Sequence, residues 1–504
     1  MNIGSLLSNT AAKFPRNTAL VYQGEPILYQ DLDKRCGCLA GALLAAGLMP
    51  GDRVAILAFN SPLFVEAYYA AVRVGLVATP INFRLTGGEM AFILRDSGAK
   101  ALIMGPEFQD TVLEIRDGLE ELDLLVMPGA PVSGVEPYEG FLNQGRRLPP
   151  SAQIMEPHAC QLMYTSGTTG RPKGALISHG NVIWNLHNTI YGREDRAGQM
   201  SIVVGPLYHT AALNNHLTIQ VALGGACILI PKFDPEQMLQ TIESQRATTI
   251  SGSPAMYNLL LHHSGAHAFD LTSITKCTAG ADKLLMETKR RLLEFFPNIK
   301  GVYDVYGCTE ASPCITILNQ RDSMRKDACV GPALPYLDAR VVDYQGSPLP
   351  AGSVGELVCR GPNVMQAFHN NPQATSETLR EGWLYTGDLA QMDEEGFFYI
   401  VDRIKDMIVS GGENIYPREI EEVLFTHPAI EDAAVLGVPD SIWGENVKAF
   451  ITLKPGADLS AEEVISFCKE RLAGYKKPKL VEFIPEIPRN PSGKALKREL
   501  RRRA

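Results

Sequence analysis

Short apolar runs alternate with stretches of helical period through the first half of the chain. Arg53 to Ala58 (RVAILA) and Ala99 to Met104 read as strands, while Ser61 to Gly75 and Glu89 to Ser97 carry apolar side chains at helical spacing. This alternation predicts α/β layers with a largely parallel sheet. It resumes from Gln161 to beyond Pro254, where SIVVGP and ATTISGSP are strand-like and PEQMLQTIESQR is helical, with no linker rich in Pro, Gly or Ser. One large, compound N-terminal α/β region is therefore expected. After about Ala390 the texture changes: AAVLGVP and KAFITLK flank a Gly-containing connection, followed by helical SAEEVISFCKERL and the strand VEFIPEI. That pattern predicts a small α+β domain. The join is expected in FFYIVDRIKDMIVSGGEN, where an aromatic strand runs into alternating charge and then into Gly411 and Gly412.

Composition narrows the class. A chain of 504 residues exceeds the roughly 250–300 residues at which one core stops growing, so two or more domains are expected. Its 45% hydrophobic and 20% charged residues are those of a folded enzyme rather than a disordered chain. A net charge of −9 gives no global field for recruiting nucleic acid. The longest apolar runs, such as Val221 to Ile230, are far shorter than a membrane span, and the first residues lack a basic region before an apolar one. A chain that is neither exported nor membrane-spanning is expected, in the cytoplasm. The ten cysteines include no Cys-x-x-Cys pair, so neither a disulfide framework nor a zinc site is indicated; they read as small buried hydrophobes in a reducing cytosol. Charge is uneven, with 12 of the 47 Lys and Arg between Lys469 and Ala504 against four Glu. A solvated terminal helix and a phosphate-bearing ligand explain that excess equally well.

The most chemical segment is LMYTSGTTGRPKG, Leu162 to Gly174, which follows an apolar strand and precedes the helix-like SHGNVIWNLHN. Small residues let backbone N–H groups approach phosphate oxygens, the hydroxyls of Thr165, Ser166, Thr168 and Thr169 add donors, and Lys173 supplies a point charge. The loop fits a polyphosphate. It is not a Walker A loop, because Gly167 and Gly170 are too close and Gly174 stands where Ser or Thr should follow the lysine.

At this loop the chain resembles the adenylate-forming superfamily of acyl-CoA synthetases, peptide-synthetase adenylation domains and luciferases. The resemblance extends along nearly the whole chain through PLYHTAAL (Pro206 to Leu213), VYGCTEAS (Val305 to Ser312), GELVCRGP (Gly355 to Pro362) and WLYTGDLA (Trp383 to Ala390). DRIKDMIVSGGENIYPREIE (Asp402 to Glu421) and PRNPSGKALKREL (Pro488 to Leu500) complete the family's order. It implies a two-step reaction: the acid attacks the α-phosphorus of ATP to give an acyl adenylate and pyrophosphate, and the thiol of CoA then displaces AMP. The family organisation implies a large domain over residues 1–404 and a small mobile one over 405–504, with Lys405 at the hinge. The oligomeric state stays open, a homodimer included.

Residue by residue, the resemblance implies a catalytic set of Thr309, Glu310, His209 and Lys494, with Glu310 holding Mg²⁺ and Lys494 bridging the carboxylate and α-phosphate. It gives ATP to the loop residues Thr165, Ser166, Gly167, Thr168, Thr169, Gly170 and Lys173, and its adenine to Tyr306, Asp304, Gly280 and Ala281. Asp388 and Arg403 look like the ribose pair. Gly411, Gly412, Trp443, Tyr475, Lys477 and Lys479 match the path of the CoA thiol and the site of its nucleotide. The two faces of the small domain thus have work in successive steps, which implies a rotation between them.

For the acid, the resemblance implies a lining of Asn188, His209, Thr210, Ala279, Val305, Gly307 and Ser312. None but His209 can carry charge. A second carboxylate or an ammonium would find no partner there, so the expected substrate is a neutral apolar acid, whether aromatic, alicyclic or aliphatic. Two readings stand beside the acyl-CoA ligase: an acyl-AMP ligase that loads a carrier protein, and a non-catalytic nucleotide-binding relative.

Overall fold

The computed structural model describes residues 2–165, 172–410, 413–440, 443–489 and 495–503. Two compact units emerge, Met1–Ala339 with Cys359–Leu384, and Arg340–Val358 with Tyr385–Ala504. The position between 404 and 405 falls inside the second unit, between the strands Phe397–Arg403 and Ile408–Ser410.

The first unit holds two sheets of eight strands. One runs Cys314–Leu318, Val302–Gly307, Lys276–Gly280, Thr249–Gly252, Met200–Val203, Ala226–Leu229, Thr18–Tyr22 and Glu25–Leu28 in spatial order. All its inner pairings are parallel, and only the two edge strands run antiparallel. The second sheet runs Ala367–Phe368, Lys173–Ser178, Ala159–Thr165, Val77–Pro80, Arg53–Leu57, Ala99–Met104, Leu124–Met127 and Glu136–Pro137, antiparallel only where Lys173–Ser178 takes part. The mainly parallel α/β architecture read from the alternating pattern is the observed one.

Helices cover these sheets because their apolar stripes have nowhere else to go. Pro62–Arg73 starts with Pro62 in its first turn, where no N–H is needed, and is buried from Phe64 to Arg73. Its last residue brings a guanidinium into the core, and Asp33 meets Arg73 Nη2 at 2.6 Å. Removing either partner of such a buried pair costs about 3–5 kcal/mol.

The strand Trp383–Met392, which belongs to the second unit from Tyr385 onward, and Phe397–Arg403 form an antiparallel pair. Beyond it the long hairpin of Ile430–Asp440 and Gly444–Leu453 carries Leu480–Phe483 as a parallel neighbour. Ile420 and Leu424 of the helix Pro417–Phe425 and Val464 of the helix Ala461–Lys469 share a core with Val435 and Ile451. The basic tail forms the helix Lys497–Arg501, where Lys497 meets Glu421 at 2.9 Å and Arg501 meets Asp406 at 3.1 Å. Part of the tail's charge is therefore neutralised within its own unit.

Candidate active site

Three parallel strands of the first sheet deliver candidate residues at their carboxyl ends, where open α/β sheets bind ligands. Met200–Val203 leads to His209, Lys276–Gly280 to Ala281, and Val302–Gly307 to Thr309 and Glu310. The backbone is unusual at this edge. Ala281 (φ 72°) and Ser312 (φ 69°) occupy the left-handed region without being glycine, at a cost of roughly 1–2 kcal/mol each. Gly307 is required by contact, because a Cβ there would lie 1.8 Å from the Pro313 carbonyl oxygen.

Thr309 and Glu310 sit on a single 3₁₀ turn, Thr309–Ala311, that is pinned from several sides. Cys308 N–H donates to Pro313 O at 3.0 Å, and Met365 N–H donates to Glu310 O at 2.7 Å. The Asn363 amide donates to Ala311 O and Cys314 O at 2.7 and 2.9 Å. The half-buried Glu310 side chain is thus carried on a rigid mount.

The phosphate loop connects two antiparallel strands. Its flanks Thr165 and Lys173 are register partners, and Thr165 Oγ1 donates to Lys173 O at 3.4 Å. The expected passage from loop to helix contains instead the strand Lys173–Ser178, and the helix His179–Arg193 follows, opened by a Ser178–Asn181 capping box. Lys173 Nζ lies 5.5 Å from the Phe368 ring centroid, and Tyr164 O–H donates to Asp96 at 2.6 Å. Ser166, Gly167, Thr168, Thr169 and Gly170 lie outside the described residues, as do Gly411, Gly412 and Lys494.

Sheet register sorts the remaining candidates by face. Ala279 pairs with Asp304 and Gly280 with Val305, so Ala279 and Val305 point to opposite faces. Ala279 joins the core with Tyr257 and Leu260, and Val305 packs against the cluster of Tyr303 and Cys314. Half-buried Tyr306 packs on that second cluster as well. The Asp304 carboxylate is directed to Lys289, at 2.7 Å, in a pair almost wholly out of solvent. Burial pushes its pKa up to about 6 against the opposing effect of Lys289.

His209 precedes the short helix Thr210–Ala212, its ring 4.5 Å from that of Tyr208, and Thr210 is buried. Asn188 is buried and its Oδ1 accepts from Tyr336 N–H at 3.0 Å. Ser312 is buried and its carbonyl accepts from the Asn214 amide at 3.2 Å.

In the second unit Asp388 and Arg403 are register partners, with Nε of the arginine 3.1 Å from the buried carboxylate. Gly387, at φ 72° inside the strand Trp383–Met392, precedes Asp388 and donates its N–H to Glu356 at 2.9 Å. Lys405 is exposed on the 3₁₀ turn Ile404–Asp406. Trp443 is half exposed and takes Lys479 Nζ 4.9 Å from its ring centroid, which brings two of the expected thiol-face residues together. Tyr475 is exposed nearby in sequence and holds Lys476 at 5.7 Å, and Lys477 is half-buried.

One group is announced by no motif. Asp195 is buried between Arg193, at 2.7 Å, and Lys276, at 2.8 Å, beneath the sheet edge. A lone lysine inside the otherwise apolar and small strand KCTAG is the only signal of it in the sequence.

The chain belongs to the AMP-binding enzyme family, whose model matches residues 7–369, while residues 419–494 match the AMP-binding enzyme C-terminal domain. It is 39% identical over 503 residues to a feruloyl-CoA synthase from Amycolatopsis sp, across 99% of both chains. It is 35% identical to a long-chain-fatty-acid–CoA ligase of Bacillus subtilis (strain 168), across 98% of this chain and 93% of that one. The crystal structure of the anthranilate CoA ligase AuaEII with anthranoyl-AMP superimposes with a TM-score of 0.93 at 26% identity, covering 100% of this chain and 97% of that one. The chain is an acyl-CoA ligase that works through an acyl adenylate.

Proposed function

We propose that the acid is neutral and mainly apolar, with an aromatic or alicyclic body preferred, and that ATP, Mg²⁺ and CoA are its co-reactants. The observation that carries this is the lack of an available charge among the acid-lining residues. His209, Thr210, Val305, Gly307 and Ser312 offer no fixed cation or anion, and Asp304, the charged neighbour, is committed to Lys289. An unpaired charge on the substrate would cost several kcal/mol of desolvation there. A feruloyl-CoA synthase and an anthranilate CoA ligase among the similar proteins support the aromatic preference.

Thr309 hydrogen-bonds the α-phosphate, Thr165 and Lys173 hold the outer phosphates with Ser166 to Gly170, and Tyr306 packs on adenine beside Gly280 and Ala281. Asp388 accepts from the ribose hydroxyls while Arg403 fixes its carboxylate. His209 closes the reacting end of the acid site. Glu310 suits Mg²⁺, since no group of three or more His, Cys, Asp or Glu side chains fit for a metal occurs among the described residues and this ion binds through one or two carboxylates plus phosphates. When bound it would neutralise charge on the phosphates.

Lys494 donates to the carboxylate and α-phosphate in adenylation, and Trp443, Tyr475, Lys477 and Lys479, with Gly411 and Gly412, receive CoA in the second step. Lys405 is the hinge between the two steps, and a reducing cytoplasm fits ten unpaired cysteines. The test is a competition among acids for CoA-dependent AMP release. Benzoate-like, cyclohexane-carboxylate-like and medium-chain acids should outrank malonate, succinate and every amino acid; a win for malonate or an amino acid overturns the substrate assignment.

A further inference from the structure

Two parts of the site lie on different sheets of the first unit. The phosphate loop leaves through the strand Lys173–Ser178 of the second sheet, whereas Thr309 and Glu310 follow the strand Val302–Gly307 of the first. Their separation is set by contacts that cross between the sheets. The segment 362–369 makes such a crossing, and it is hydrogen-bonded at both ends.

At the catalytic end Asn363 is wholly buried. Its Nδ2 donates to Ala311 O at 2.7 Å and to Cys314 O at 2.9 Å, so one amide holds the end of the turn Thr309–Ala311 and the strand that follows it. Met365 N–H then donates to Glu310 O at 2.7 Å. At the phosphate end Gln366 N–H donates to Leu176 O at 3.0 Å and His369 N–H to Gly174 O at 2.7 Å, while Ala367 and Phe368 pair with Leu176 and Ala175. The Phe368 ring is also the one that Lys173 Nζ approaches, at 5.5 Å.

A second amide fixes the segment where Asn363 stands. Asn181 Nδ2 donates to Pro362 O at 2.8 Å and to Val364 O at 2.7 Å, and its Oδ1 accepts from Ser178 N–H at 2.8 Å. Both carbonyls beside Asn363 are therefore tied to the last residue of the strand that leaves the phosphate loop. The orientation of the Asn363 amide follows from its neighbours, because only a donor can face two carbonyls. Its Oδ1 is buried with no hydrogen-bond partner among the described residues. A buried acceptor left alone costs stability, so the contribution of this side chain lies in its two donors.

We propose that the segment 362–369 is a strap that sets Thr309 and Glu310 at their distance from the phosphate loop, and that Asn363 is its positioning residue. Asn363 acts through the Ala311 and Cys314 carbonyls rather than on the substrate. This rests on the acyl-CoA ligase reading, in which Glu310 and the loop serve the phosphates of ATP. In that reading pyrophosphate takes part only in adenylation, so a loosened strap weakens the first step and spares the second.

The test is Asn363→Leu, which keeps the branching of the side chain and removes both donors, read in the two half-reactions separately. ATP–pyrophosphate exchange should lose about a hundredfold in kcat, the typical effect of misplacing a reacting group by about 1 Å. The KM for ATP should change by less than about threefold, since binding is not what the strap supplies. Thioester formation from a supplied acyl adenylate should keep most of its wild-type rate. A side chain that only stabilises the fold would lower the active fraction, and so both half-reactions alike. Equal losses in the two, exchange at the wild-type rate in the folded variant, or a loss carried by KM would each overturn the proposal while the ligase reading stands. If Asn363→Leu does not fold, Asn181→Ala is read in its place, with the same split at a smaller factor and the same contrary results. Wild-type protein that shows no acid-dependent exchange with any acid defeats the underlying reading and this proposal together.

Discussion

Lys289, wholly buried on the helix Met286–Phe295, places its Nζ 2.7 Å from Oδ2 of Asp304 on the strand Val302–Gly307. The pair ties that helix to the strand that leads to Tyr306, Thr309 and Glu310. Lys289→Met leaves a carboxylate buried and alone, an effect of about 3–5 kcal/mol. Lys289→Met with Asp304→Leu removes both charges and should recover most of that loss. Denaturant unfolding of the single and double variants measures it; a double variant as unstable as the single one would contradict the account.

The same carboxylate sets a pH dependence. Its native pKa, raised by burial to about 6 from an ordinary 3.8, means the folded protein keeps a proton that the unfolded chain loses between those values. Stability from this group is fully present below about pH 4 and is lost as pH rises through about 6. A rise of that size corresponds to about 3 kcal/mol. Wild type should therefore lose stability relative to Asp304→Asn across that window, and a constant difference would show that Asp304 titrates normally.

Gly307→Ala places a methyl group against the Pro313 carbonyl, 1.8 Å away before relaxation. The turn Thr309–Ala311 must shift, and displacement of a catalytic group by about 1 Å typically costs about a hundredfold in rate. ATP–pyrophosphate exchange should fall by that order while the protein stays folded by circular dichroism. Near-normal exchange would place the reacting groups elsewhere.

Lys494→Ala should slow adenylation by about 10² to 10³, the typical effect of losing one transition-state donor. Thioester formation from a supplied acyl adenylate should be spared. Lys405→Pro should do the reverse: proline fixes φ near −65° and removes an N–H, which blocks a backbone that rotates between the two steps. Equal losses in both half-reactions would refute the assignment of each residue to its own step.

Elements with strong periodicity are legible in the amino-acid sequence. The pattern bounds Ala99–Met104 to the residue, and Pro62–Arg73 and Pro235–Gln245 to within a few. The strand Lys173–Ser178 is hidden because it merges, without a turn signal, into the helical SHGNVIWNLHN. Motif residues such as Glu310 and Asp388 are legible as chemistry because their types and order are unusual. Lys289, Asp195 and Lys276 are not, because a buried charge is recognised only by its partner, and each partner is distant in sequence or on another element. The split of Ala279 and Val305 between two faces is a fact of register, which composition does not carry.

The central claim is that this chain couples a neutral aromatic or alicyclic acid to CoA through an acyl adenylate. Its most direct measurement is product analysis of purified protein with ATP, Mg²⁺, benzoate-like and cyclohexane-carboxylate-like acids, and CoA. The account predicts acyl-CoA, AMP and pyrophosphate in equal amounts, with acyl adenylate and pyrophosphate formed when CoA is withheld. ADP and phosphate as products, or AMP release that does not depend on the acid, would contradict it.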